Sequence, residues 1–152
     1  MIYTDTIKDL ERYLSRARAD FQLIRQDKPI HTVQDAAGYF PIENSAPTFI
    51  LKNEDGLLAC IVSIARGRLD FEEMKKQFGY SKLKMADRGA IEKLTGYKTG
   101  SIPLIGHHLP CIFDDRLLKF DYVYGGTGDE FVTLKIAPQD VKRLNNIVFC
   151  LV

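Results

Sequence analysis

Between Leu94 and Asp115 the chain reads LTGYKTGSIPLIGHHLPCIFDD. Three glycines (Gly96, Gly100, Gly106), two prolines (Pro103, Pro110) and two of the chain's three histidines fall in this stretch. Proline fixes φ and removes a donor, and glycine opens backbone angles closed to other residues, so a regular helix is excluded here. The stretch reads as a shaped loop leading into a short strand, Cys111 to Phe113. Glycines let a ligand approach backbone N–H groups closely, and a constrained loop on an otherwise ordinary scaffold is where a site is to be sought. A structural turn between two elements accounts for the same residues.

The flanking sequence supplies both kinds of element. Ile7, Leu10, Leu14 and Ala17 form an apolar stripe at helical spacing over residues 6–18, with Thr6 as its candidate N-cap. Phe21 to Ile24 is a short strand. Thr32 caps a helix through Val33, Ala36 and Ala37, with Asp35 in its first turn and His31 just before it. Residues 48–53 form a strand, Asn53-Glu54-Asp55-Gly56 a hairpin turn, and Leu57 to Ile64 a strand buried on both faces and hence central. Asp70 caps a helix Phe71 to Phe78 that stops at Gly79, Lys82 to Met85 is a short strand, and Asp87 caps a helix to Leu94 that ends at Gly96. A second hairpin, Asp121 to Tyr124 and Phe131 to Ile136, turns around Gly125-Gly126-Thr127-Gly128. Pro138 opens a last helix near its N1 position. The final IVFCLV fits a packed tail or a strand. This mixture predicts an α+β or mixed α/β fold with a strongly curved, at least partly antiparallel sheet.

The chain has 152 residues, so one domain spanning 1–152 is expected. With a net charge of +1, any nucleic-acid contact must come from a local patch. Lys75 to Lys98 is such a stretch: Lys75, Lys76, Lys82, Lys84, Arg88, Lys93 and Lys98 against Asp87 and Glu92 leave it at net +5. It suits phosphates, or is a solvated face. Cys60, Cys111 and Cys150 sit in apolar runs without a C-x-x-C pair, as buried free thiols of a cytoplasmic protein would. No signal peptide or membrane span is expected.

Familiar catalytic signatures fail. A G-x-S-x-G elbow around Ser101 would need glycines where Thr99 and Pro103 stand. His107, His108, Cys111, Asp114 and Asp115 match no familiar zinc spacing, so no metal is expected. Asp114 and Asp115 are acids or bases, or the cap of a turn. Gly125 to Gly128 lacks the spacing of a phosphate loop. His107 and His31 each fit either a polar group at a pocket rim or a histidine bonded to local backbone.

The order of four stretches resembles the YbaK/prolyl-tRNA synthetase insertion-domain family of aminoacyl-tRNA editing proteins. They are His31-Thr32-Val33-Gln34-Asp35-Ala36-Ala37, Ala46-Pro47-Thr48-Phe49-Ile50-Leu51, Lys84-Met85-Ala86-Asp87 continuing through Leu94-Thr95-Gly96-Tyr97 to Gly100-Ser101-Ile102-Pro103-Leu104-Ile105-Gly106-His107, and Tyr122 to Gly128 with Ala137-Pro138-Gln139-Asp140. The resemblance covers residues 8–145. It implies a barrel-like mixed sheet with flanking helices and a pocket, and hydrolysis of the ester joining a wrong, small amino acid to tRNA, without metal or organic cofactor. It implies that the loop Gly100, Ser101, Ile102 and Pro103 holds the aminoacyl end, with Gly125 and Gly126 lining the same pocket.

Such a site must stabilise an oxyanion, which backbone N–H groups of Gly100, Ser101 and Ile102 can do if they converge. His31, Thr48, Gly106 and His107 complete the expected substrate side, and Lys82, Lys84, Arg88 and Lys98 the tRNA side. The implied partners are the aminoacylated 3′ end of tRNA and an aminoacyl-tRNA synthetase, with no DNA and no membrane. One departure stands out: the family's tRNA-placing lysine falls on Pro47. Lys52 lies five residues on, an odd spacing that directs it to the opposite strand face. A binding module that keeps the fold without turnover is the alternative expectation.

Overall fold

The computed structural model describes residues 5–152. The first helix, α1 (Asp5–Arg16), begins before Thr6, so Thr6 lies inside it and is not its cap. Ile7 and Leu14 of its apolar stripe are fully buried. The chain continues through β1 (Phe21–Arg25), the single helical turn α2 (Val33–Ala36), β2 (Thr48–Asn53), β3 (Gly56–Ile61), α3 (Phe71–Phe78), β4 (Leu83–Met85) and α4 (Arg88–Thr95). It ends with β5 (Pro110–Asp114), β6 (Val123–Gly125), β7 (Val132–Ile136), α5 (Pro138–Arg143) and β8 (Asn146–Leu151).

Local chemistry sets most of these boundaries. The Thr32 hydroxyl accepts from the Asp35 N–H while the Asp35 carboxylate accepts from the Thr32 N–H, a reciprocal cap on α2. The Asp70 carboxylate accepts from the Glu73 N–H at 3.1 Å, and Gly79 closes α3 in the left-handed region with φ of 74°. Asp87 caps α4 in the same way, through the Ala90 N–H. The strand expected over Leu57 to Ile64 stops at Ile61, because the Ser63 hydroxyl accepts from the Ala65 N–H and turns the chain.

The strands form two sheets: β1-β7-β6, all antiparallel, and β4-β2-β3-β5-β8, in which β3-β5 and β5-β8 are parallel. The C-terminal segment is therefore a strand, on the edge of the larger sheet. The fold is mixed α+β, but the described residues form no closed barrel. The two sheets meet at a narrow seam, where Ser45 bridges to Tyr124 and the Ala46 N–H donates to the Tyr124 carbonyl at 2.8 Å. The two-faced burial expected of β3 is present. Ala59 and Ile61 join the core shared with α1 and the smaller sheet, while Leu58 and Cys60 join the core shared with α3. Among the described residues no helix is long and apolar enough to cross a membrane.

One buried charge is held in this core. Asp114, with none of its surface exposed, accepts two 2.8 Å hydrogen bonds from the Arg66 guanidinium and one each from the Ser63 and Arg116 N–H groups. Asp115 accepts from Lys142. The two aspartates are thus structural anchors at the end of β5. Burial acts to raise the pKa of Asp114, but Arg66 and the two N–H groups outweigh it and hold the carboxyl below its ordinary value. Its folded-state pKa lies below the unfolded one, so its contribution is present above the unfolded value and is lost as pH falls through the folded one. Asp114→Asn is expected to lower the unfolding free energy at neutral pH by about 3 kcal/mol, through the uncompensated arginine. In urea titrations at a series of pH values, variant and wild type should converge as the solution is acidified through the carboxylate range.

Candidate functional site

A cleft of about 930 Å³ opens at the seam between the sheets, a size typical of ligand sites. The turn Thr99–Ser101 and Ile102 form one wall, and Tyr124, Gly125 and Gly126 another. His31 and α2 close one side, with Pro47, Thr48, Phe49 and Ile50 entering from β2. Arg88, Ile91 and Glu92 contribute from α4, and Asp129 and Glu130 from the turn before β7.

Close backbone packing explains the glycines here. A Cβ on Gly126 would stand 2.4 Å from the Ile102 carbonyl oxygen, and one on Gly125 would stand 2.2 Å from Leu104 Cδ1. The Gly126 carbonyl accepts from the Leu104 N–H at 2.9 Å, which fastens the hairpin to the loop. A Cβ on Gly100 would meet the His31 carbonyl oxygen at 2.8 Å. Gly100 and Gly126 meet backbone and need the absence of a side chain rather than unusual angles, whereas Gly125 meets the end of the Leu104 side chain.

The loop's donors are not equivalent. The Ser101 N–H donates to the Lys98 carbonyl at 2.9 Å, so the expected three-donor set is reduced. Gly100 lies inside the 3-10 turn Thr99–Ser101 and Ile102 directly follows it, and both line the cleft. Two hydroxyls beside them, Thr48 Oγ1 and Thr99 Oγ1, are buried without a hydrogen-bond partner among the described residues, an arrangement that favours a polar ligand or water.

His31 Nε2 lies 2.5 Å from Glu130 Oε2, across the cleft rim. That hydrogen bond lowers the pKa of Glu130, against desolvation and with a smaller contribution from Lys98. Glu130 is further tied through its carbonyl, which accepts from the Ile30 N–H and from Gln26 Nε2. Asp129 and Glu130 were not among the expected residues, although they directly follow the hairpin glycines. Phe49, Met85 and Tyr124 likewise join the cleft only in three dimensions.

Other expected residues lie elsewhere. Pro103, Gly106 and His107 line a second cavity of about 700 Å³, together with Tyr13, Tyr97 and Asn145. The chain at Ile102 is extended, so successive side chains point to opposite sides and Pro103 faces away from the cleft. His107 is buried, and its Nδ1 accepts from the Leu109 N–H at 3.0 Å, the local-backbone role. Burial pushes its pKa down to about 4, with His108 adding to the effect and Asn145 opposing it. Of the expected cations, Arg88 and Lys98 line the cleft, whereas Lys82 and Lys84 stand outside it. Lys84 faces Lys52 across β2-β4, and Lys52 does not line the cleft. Lys75 pairs with Glu72 on α3. Among the described residues no three His, Cys, Asp or Glu side chains gather as a metal-ligand set. Burial pushes the thiols of Cys60 and Cys111 up to about 12, as inert core groups.

The molecule is thus a protein of mixed α+β architecture with a cleft between two sheets, walled by two glycine-bearing loops. The profile of the Aminoacyl-tRNA editing domain family matches residues 27–144, and the chain belongs to that family. Its fold is similar to that of a proposed trans-editing enzyme for prolyl tRNA synthetase, with a TM-score of 0.82 and 20% identity over 99% of this chain and 98% of that one. It is equally similar to a hypothetical protein, APE2540, with a TM-score of 0.82 and 24% identity over 93% and 97% of the two chains. A scaffold protein used for epitope backbone grafting shares the fold at a TM-score of 0.79 and 21% identity, over 99% and 97% of the two chains.

His107 provides a pH test of the second cavity. Between its ordinary value of 6.5 and about 4 the unfolded chain takes up a proton that the folded chain refuses. Stability therefore falls as pH drops through that window. In NMR spectra the His107 imidazole signals are expected to stay at their neutral positions from about pH 8 down to about pH 5. Titration of those signals near the ordinary value would contradict the burial argument.

Proposed function

We propose that the protein is a trans-editing aminoacyl-tRNA deacylase, a single editing domain that hydrolyses the ester of a small amino acid mischarged on tRNA in the cytoplasm. The observation that carries this reading is the meeting of Gly100 and Ile102 with the Gly125-Gly126 hairpin in one cleft. The carbonyl of the aminoacyl ester lies against this loop, and the N–H groups of Gly100 and Ile102 stabilise the oxyanion that forms when water attacks. Thr48 and Thr99 supply hydroxyls to the polar parts of the substrate. The narrow space between loop and hairpin limits the side chain that fits. Such a second site is needed because one methylene gives a synthetase only about 1–3 kcal/mol of discrimination. Arg88 and Lys98 meet the tRNA phosphates at the cleft, while Lys84 in β4 and Lys82 just before it lie outside the cleft. No protein nucleophile or metal is needed. Prolyl-tRNA synthetase, named for one structural relative, is the synthetase to test first as a partner.

Pro47 favours a second reading, a tRNA- or protein-binding module without turnover, because it places an uncharged, donor-free residue in the cleft where the resemblance puts lysine.

The test is deacylation of tRNAs charged with alanine, cysteine or serine by the purified chain. Wild type is expected to hydrolyse at least one. Gly100→Val, which drives a side chain against the His31 carbonyl, is expected to lose about a hundredfold in rate while keeping its circular dichroism spectrum. Ser101→Ala is expected to stay within a few-fold of wild type. A collapse of activity in Ser101→Ala would assign the serine hydroxyl to the chemistry and overturn the backbone mechanism. A folded wild type inert on every charged tRNA would favour the binding module.

A further inference from the structure

Strand register carries one face of the larger sheet out past the cleft. Thr48 and Ile50 of β2 line the cleft, as does Ala86 just after β4, and the Ala86 N–H donates to the Ile50 carbonyl at 3.0 Å. Side chains alternate between the faces of a strand, so Lys52 shares the face of Thr48 and Ile50, and Lys84 that of Ala86. Core contacts agree with this parity. Ile50 and Ala86 belong with the core shared with the smaller sheet, whereas Leu51 joins the core under α3. Lys52 and Lys84 lie directly opposite each other in the β2-β4 ladder. The pair therefore stands one step along the strands from Ile50 and Ala86, about 7 Å farther out on the same face.

This arrangement disfavours the free protein. Directly opposed residues in antiparallel strands hold their Cβ atoms about 4.5–5.5 Å apart, and like charges placed so are destabilising. Both lysines are exposed, and neither takes part in an ion pair among the described residues. The acid that follows Lys52 in the chain, Glu54, turns its carboxylate to the N–H groups of Ser81 and Lys82, at 3.0 and 3.4 Å. β4 is an edge strand, so no further strand of the sheet brings an acid to the pair. An anion seated between two ammonium groups removes their repulsion. A phosphodiester chain suits the place, because it offers single charges at regular spacing and continues on toward the cleft.

We propose that Lys52 and Lys84 together hold the phosphate chain of the tRNA's unpaired 3′ strand where it leaves the cleft. This rests on the editing reading of the cleft and adds how the strand behind the aminoacylated nucleotide is held. The contact is to phosphate, so it serves any tRNA end and leaves selection of the amino acid to the glycine-walled part of the cleft. It also gives Lys52 a place on the cleft's own face of the sheet, although the side chain lies outside the cleft.

The experiment measures binding of the full chain to an acceptor-stem hairpin with an unpaired 3′ strand, across a range of salt concentrations. Each phosphate contact on a single strand contributes about 0.7 to the slope of log K against log salt. Lys52→Gln and Lys84→Gln are each expected to lower that slope by about this amount, and the double variant by about twice as much. Lys75→Gln, on α3 and paired with Glu72, should leave the slope unchanged. On a hairpin lacking the unpaired 3′ strand, wild type and all variants should bind alike. Without RNA, either single variant is expected to melt about 1–3 °C higher than wild type, since each relieves the same repulsion, and the double variant should gain little more. Unchanged slopes in a chain that deacylates charged tRNA overturn the lysine pair alone. Equal losses on the truncated hairpin place the contact elsewhere on the RNA and overturn it too. So does a lowered melting temperature accompanying the weaker binding, which would make the lysines part of the fold's support. Polyglutamate that binds more tightly than the hairpin, and only to wild type, would assign the pair to an acidic protein instead. A chain that neither deacylates nor binds the hairpin overturns the editing reading and the lysine pair with it.

Discussion

The contact between the Gly126 backbone and the Ile102–Leu104 segment decides where everything else in the cleft can be. At this point two loops from distant parts of the chain pack backbone to backbone, joined by the hydrogen bond from Leu104 to Gly126. With the space that a Cβ would need already occupied by the Ile102 carbonyl, the approach is available only to glycine. Because the hairpin belongs to the smaller sheet, this contact also sets the position of that sheet against the loop. Gly100 repeats the device on the other side, where the loop lies against the His31 carbonyl. The backbone around Gly100 is therefore fixed by packing before any ligand arrives.

Behind the cleft, the larger sheet supplies a rigid support. β3 and β5 are buried on both faces, and the charge at the end of β5 is neutralised by Arg66. The second cavity lies across the loop from the cleft and is lined by the residues that point away from it. One loop therefore has two separate environments. Ile102 serves the cleft, while Pro103, Gly106 and His107 serve the support.

The electrostatics of the cleft are mixed rather than basic. Arg88 and Lys98 share it with Glu92, Asp129 and Glu130. His31 and Glu130 engage each other, so the rim is braced by a short polar contact between the segment before α2 and the turn before β7. Proline at position 47 adds no charge, so Arg88 and Lys98 are the lysine and arginine side chains lining the cleft. The interior is left to backbone donors, hydroxyls and apolar surface.

By itself, the sequence determined nearly all of the local structure. Capping residues such as Asp70 and Asp87, the left-handed glycines Gly79 and Gly96, and the Asp55-Gly56 turn act on their immediate neighbours, so their effects are legible without the fold. It also marked Gly100 and the Gly125-Gly126 pair as unusual, through composition and through the likeness to editing proteins. Only tertiary structure decided which face of the loop turns toward the cleft, which is why Pro103, Gly106 and His107 separate from Gly100 and Ile102. The same holds for Glu130 meeting His31 from ninety-nine residues away and for the two sheets failing to close into a barrel. Each depends on strand register and on the packing of segments far apart in the chain. Those are fixed by the burial of a whole core and by the room left between backbones, quantities that no short stretch of residues carries.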